Sequence, residues 1–151
     1  MHLRRLLSIP LVVCLAFACR AQEYASRSER ELFDAANRDR QAQGLPTLKW
    51  NAALAAAARR HAQLMADHQT ISHQFAGEPS LPARVSKAGA GFMALAENVA
   101  EAPTPGEIHT MWMHSPGHRA NILDGNMDSI GIAVTERNGE FFAVEDFSKA
   151  K

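Results

Sequence analysis

Two runs rich in Ile, Val and Phe, Ser129 to Glu136 and Glu140 to Phe147, are separated by Arg137-Asn138-Gly139. An Asn-Gly pair between such runs is a strong short-range signal for an antiparallel hairpin. Alternation puts apolar residues on both faces of each strand. Ile130, Ile132 and Val134 oppose Ala133 in the first, and Phe141 and Phe147 oppose Phe142 and Val144 in the second. A strand that is apolar on both faces can leave neither to water, so helices must cover the sheet on each side. This requirement restricts the chain to an α+β sandwich.

The preceding residues supply those helices. From about Ser28 to Gln43, Leu32, Ala35 and Ala36 recur at helical spacing among charged residues, and Gly44-Leu45-Pro46 is a stop. A short extended segment, Thr47 to Trp50, leads to Asn51 as N-cap of a second helix, Ala52 to Asp67, with Leu54, Ala58, His61, Met65 and His68 on one face. Gln69 to Gly91 reads mostly as loop with a brief helical stretch at Leu81 to Ala88, and Ala94 to Ala100 reads as a short strand. Thr104-Pro105-Gly106-Glu107 has the form of a capping box with proline at the first helical position, opening a third helix that carries Ile108, Met111 and Trp112 inward. Ser115-Pro116 restarts a short helix to about Leu123 and places His118 at its third position.

At 151 residues the chain has the length of one domain. Its sixteen basic and sixteen acidic residues balance. No dense basic stripe extends beyond Arg4-Arg5 and Arg59-Arg60, so nucleic acid is not an expected partner. Arg4 and Arg5 followed by the apolar run Leu6 to Ala18 read as a secretory signal, residues 1–21, too short to span a bilayer as a stable helix. Two processing routes stay open: ordinary cleavage after Ala16-Phe17-Ala18, or acylation of Cys19 as a lipoprotein anchor. The expectation is an exported protein, extracellular or periplasmic, with one domain over residues 22–151, no transmembrane segment once the signal is removed, and a monomeric state. Both cysteines, Cys14 and Cys19, lie in or beside the leader. The domain therefore has neither a disulfide nor a cysteine nucleophile.

Ser115-Pro116-Gly117-His118-Arg119-Ala120-Asn121-Ile122-Leu123 resembles the signature of the bacterial branch of the CAP superfamily (cysteine-rich secretory proteins, antigen five and pathogenesis-related-one proteins; the SCP domain). Other stretches follow in that family's order: Leu48-Lys49-Trp50-Asn51 with the alanine-rich helix through His61 and Met65, then Ser72-His73, then Ala96-Glu97-Asn98-Val99-Ala100, and finally Ile130-Gly131-Ile132-Ala133-Val134. The resemblance covers about Glu29 to Phe147. It implies a three-layer α-β-α CAP sandwich with a small central antiparallel sheet, secretion, and a cleft whose histidines and acidic residues bind a divalent metal in some members.

Carried over by motif, the resemblance assigns metal-binding positions to His73, Glu97 and His118. A second glutamate of eukaryotic relatives is replaced by Ser115, and a glycine before the Glu-Asn pair by Ala96. Two imidazoles and one carboxylate can form three corners of a tetrahedral zinc site with an open fourth position. Because the three come from separate elements, their convergence rests on the resemblance. For Glu97 two roles stay open: direct ligand, or a carboxylate that orients His73 or His118 by hydrogen bonding. His61 reads as a hydrogen-bonded core histidine, Trp112 as core, and His109 and His114 as helix-face residues outside the site.

The function expected is therefore a secreted binding module whose His/Glu cleft takes a divalent metal, zinc by ligand type, or a small apolar or lipid-like ligand, with Phe75, Phe92, Met93 and Met111 near the cleft edges. No organic cofactor is expected. The alternative is a metal-dependent, peptidase-like hydrolase in which Glu97 is the candidate catalytic base. A serine hydrolase is disfavoured because Ser115 reads as an N-cap whose hydroxyl is engaged with backbone N–H groups.

Overall fold

A computed structural model describes residues 25–151; the expected secretory signal and both cysteines lie outside them. In chain order the elements are α1 (Arg27–Ala42), β1 (Lys49–Trp50), α2 (Ala52–His68), α3 (Leu81–Lys87), β2 (Phe92–Ala102), α4 (Pro105–His114), α5 (Pro116–Ile122), β3 (Ser129–Arg137) and β4 (Glu140–Ala150). The strands form one sheet in the order β1-β3-β4-β2.

The hairpin forms as its turn chemistry requires. Asn138 and Gly139 both adopt positive φ, 55° and 84°, as a tight two-residue connection demands. β3 and β4 then pair antiparallel from Arg137↔Glu140 to Ser129↔Ser148. β2 adds antiparallel to β4 on the outer side and runs over eleven residues, longer than the expected Ala94 to Ala100. Its alternation is masked by Glu97 and Asn98, two buried polar residues in the middle of the strand. One pairing departs from an all-antiparallel sheet: β1 runs parallel to β3 through Lys49↔Ser129 and Trp50↔Ile130.

Alternate residues sort into two cores, as the two-faced strands require. On one face Ile130, Ile132, Ala143 and Phe147 pack with Leu32 and Ala36 of α1, Ile108 and Trp112 of α4 and Ile122 of α5. On the other, Val99, Ala133, Phe142 and Val144 pack with Ala58, Ala62, Met65 and Ala66 of α2. Beside this second core, Val85 of α3 joins Leu54 and Ala57 of α2. The result is an α-β-α sandwich. Among the described residues no helix is long and apolar enough to cross a membrane.

Local sequence explains the helix ends. Ser26 accepts from the Glu29 amide at 3.2 Å while its own N–H donates to the Glu29 carboxylate at 2.6 Å, so α1 starts ahead of the expected Ser28 with a reciprocal capping box. Asn51 Oδ1 accepts from the amides of Ala53 and Leu54. Thr104 accepts from the Glu107 amide. Two expectations change. Met111 is 51% exposed, because inward-facing Ile108 and Trp112 sit one turn apart and leave residue 111 on the flank of α4. Ser115 is the N-cap of α5 by backbone conformation, but its side chain makes no capping hydrogen bond.

The α2 layer approaches β3 closely at Gly131. A Cβ placed there would overlap the Ala55 backbone nitrogen and the Leu54 backbone carbon, atoms that cannot move without displacing the helix. Gly131→Ala is therefore expected to destabilise the domain by about 3 kcal/mol, the upper range for overpacking a core. Chemical denaturation is the measurement, and a change below about 1 kcal/mol would show that α2 has room to shift.

Candidate functional site

β2 is the outer strand of the sheet, and the candidate residues gather around its centre. Glu97 faces the α2–α3 side, opposite Asp146 of β4, while Asn98 faces the α5 side, opposite Glu145. His73 comes from the loop after α2, and His118 from the first turn of α5.

Glu97 is buried and both its oxygens are engaged. Oε1 meets His73 Nδ1 at 2.9 Å, and Oε2 accepts from the Arg84 guanidinium. Arg84, itself buried, also donates to the carbonyls of His73 at 3.2 Å and Pro79 at 3.4 Å. The arginine thus fixes the carboxylate and the histidine backbone together. The His73 side chain is 62% exposed, so with Nδ1 held by Glu97 its Nε2 remains available.

The loop carrying His73 is anchored to α2 by His61. Its Nε2 lies 2.6 Å from the Ser72 carbonyl and its Nδ1 lies 2.7 Å from Glu78 Oε1. A carbonyl only accepts, so Nε2 carries hydrogen. Glu78 Oε2 in turn accepts from the Phe75 amide at 3.0 Å. His61 is thus the hydrogen-bonded core histidine expected. What its sequence position does not reveal is that it holds the residue next to His73. His68, expected on the same buried face, is exposed and stacks on Phe75 with ring centroids 4.6 Å apart.

On the opposite side of β2, Asn98 Nδ2 donates to the His118 carbonyl at 3.2 Å and to Glu145 Oε2 at 3.2 Å, and Asn98 Oδ1 accepts from Asn121 at 2.9 Å. These bonds hold the turn of α5 that carries His118 against the strand. Burial lowers the His118 pKa, and the nearby His73 lowers it further, so His118 favours the neutral imidazole. His109 pairs with Asp39 of α1 at 2.7 Å and His114 with the Thr110 carbonyl at 2.7 Å; both have their own partners away from this cluster. Phe75 packs against the α2 core, whereas Met111 belongs to α4 in the other layer, so these two expected edge residues are not brought together. Among the described residues no group of three or more His, Cys, Asp or Glu side chains is placed to hold a metal ion.

Two acids lie outside what the sequence pattern singles out. Asp146 is buried against Glu97, and its pKa is raised well above the usual carboxylate range, first by burial and then by the Glu97 charge. Neither Asp146 oxygen has a hydrogen-bond partner among the described residues. Glu145 is fully buried, and burial pushes its pKa up to about 8 despite the hydrogen bond from Asn98. The available signal is the pair Glu145-Asp146 inside the apolar run from Phe141 to Phe147. Arg84 carries no comparable signal, since an arginine on a short helix is ordinarily exposed.

The Glu145 shift predicts a pH dependence of stability. Its folded pKa lies above the unfolded value of 4.5, so its favourable contribution is complete below that value and is lost as pH rises towards about 8. Glu145→Gln, which can keep the Asn98 bond, is expected to be more stable than the parent at about pH 8 by on the order of 3 kcal/mol. That gain should shrink towards zero at about pH 4. Denaturant midpoints across this range test it, and a gain independent of pH would contradict it.

Comparison with known proteins bears on the family and the fold. The model of the Cysteine-rich secretory protein family, CAP, matches residues 33–147. The chain is 33% identical over 117 residues to the uncharacterized protein YkwD of Bacillus subtilis, covering 77% of this chain and 46% of that protein. It therefore spans less than half the length of that relative. Among solved structures, an extracellular protein containing a SCP domain from Bacillus anthracis superposes with a TM-score of 0.75 at 27% identity, covering 81% of this chain and 40% of that one. An outer surface protein from Borrelia burgdorferi superposes with a TM-score of 0.76 at 21% identity, covering 82% of this chain and 93% of that one. The sandwich, the ordered motifs and the match over most of the described residues lead to one conclusion: this chain belongs to the CAP family.

Proposed function

We propose that the protein is an exported CAP-domain binding module that takes up a divalent metal ion, zinc by ligand type, between His73 and His118. The observation that carries this reading is the Glu97 Oε1 to His73 Nδ1 contact at 2.9 Å. A carboxylate that accepts from one ring nitrogen fixes the tautomer and leaves the other lone pair for a metal. His118, which favours its neutral form, supplies a second imidazole near the first. In this arrangement Glu97 acts as the orienting carboxylate, since Arg84 and His73 already occupy its oxygens. Water or a ligand completes the coordination, and His73 and His118 are the protein's two donors. Export is supported by the leader-like residues 1–21 and by the extracellular or surface description of the two solved relatives.

Calorimetric titration with zinc tests the reading. Saturable binding is expected in the parent and absent in the His73→Ala/His118→Ala double variant. Glu97→Gln should weaken binding by about 10- to 100-fold, the usual cost of losing an orienting partner. Equal uptake by parent and double variant would overturn the proposal. Turnover of a peptide substrate that chelation abolishes and zinc restores would instead favour the metal-dependent hydrolase.

A further inference from the structure

A groove of about 390 Å³ opens between α2, α3 and the loop around residues 75–79, apart from the His73 and His118 rings. That volume lies within the ordinary range for a small-molecule site. Its chemistry is of two kinds. Leu64 and the rings of His68 and Phe75 line it, and these rings stack nearly parallel, 17° apart with centroids at 4.6 Å. Arg60, Arg84 and Lys87 also line it. Arg60 and Lys87 have no ion-pair or hydrogen-bond partner among the described residues.

The remaining charges do not cancel this excess. The one acid lining the groove, Glu78, is paired with Arg84 at 3.6 Å and bonded to His61 and the Phe75 amide, so it leaves the charges of Arg60 and Lys87 unpaired. Arg84 is 6% exposed, and its buried Nε–H has no hydrogen-bond partner in the described residues. A buried unsatisfied donor is costly and is ordinarily met by water, an ion or a ligand. The groove thus combines flat apolar walls with free positive charge and a cationic donor in need of an acceptor.

We propose that this groove binds a small aromatic carboxylate, its ring beside His68 and Phe75 and its anionic group held by Arg60 and Lys87. The carboxylate is favoured over a neutral ligand because it answers the unpaired cations. A planar ring is favoured over a flexible chain because the stacked pair offers a flat surface and an aromatic contact adds to area burial. The site is separate from the histidine pair and does not depend on metal uptake there.

Fluorescence titration of the protein with 2-naphthoate tests this, with 2-naphthamide as the neutral counterpart and decanoate as the aliphatic anion. The expected result is saturable binding of 2-naphthoate, at least tenfold weaker in the Arg60→Ala/Lys87→Ala variant and at least tenfold weaker for the amide. Both replaced side chains are exposed, so the variant should keep the parent's thermal midpoint, which is measured alongside. No saturable binding, equal binding by the variant, or equal binding of the amide would overturn the proposal. Decanoate binding as tightly as 2-naphthoate would overturn the aromatic class.

Discussion

The buried guanidinium of Arg40 is the constraint on which much of the arrangement depends. It donates to the carbonyls of Pro46, Ile122, Asp124 and Met127, between 2.8 and 3.2 Å. These acceptors lie just after α1, at the end of α5 and in the turn into β3, where backbone carbonyls lack helix or sheet partners. A charge removed from water is tolerable only when its donors are satisfied. Here the same bonds give acceptors to all of the guanidinium nitrogens and partners to the carbonyls of Pro46, Ile122 and Met127, while the Asp124 carbonyl also accepts from the Met127 amide. Burial lowers the Arg40 pKa and Asp124 offsets part of that effect. By holding the end of α5 to α1, Arg40 also determines where the start of α5, with His118, meets the sheet.

A second polar layer performs the corresponding task on the other face. His61 holds Ser72 and Glu78, Arg84 holds the His73 carbonyl and Glu97, and Glu97 holds the His73 ring. The apolar α2 core packs beside this chain of bonds, so the exposed His73 ring stands on a rigid base. The close approach at Gly131 contributes as well. Gly131 pairs with Asp146 across β3 and β4, and α2 closing on the missing side chain helps seal Asp146 from water. Burial and the Glu97 charge together raise the Asp146 pKa, while Arg84 and His73 occupy the two oxygens of Glu97.

Much of this is legible in local pattern. The hairpin, the two-faced strands, the caps at Asn51 and Thr104 and the restart at Pro116 all follow from short-range rules, and the structure realises each. The departures have equally local causes. An apolar residue beside Trp112 reads as core, but helix geometry gives the inward positions to Ile108 and Trp112 and turns Met111 outward. Ser115 has the identity of a hydroxyl cap, yet only its backbone plays that part. The length of β2 is hidden by Glu97 and Asn98, whose burial depends on partners far away in sequence.

The fold class follows from local pattern, because strands apolar on both faces must be covered on both faces, and the family follows from the ordered motifs. The roles of the polar residues emerge only on folding. The contacts of Glu97 with Arg84, Asp146 with Glu97, and Glu145 with Asn98 join residues 13 to 49 positions apart, and periodicity carries no information about such pairs. Whether a carboxyl is ionised, paired or protonated depends on how much water packing removes and which charges it brings near. Those quantities exist only once the chain has folded.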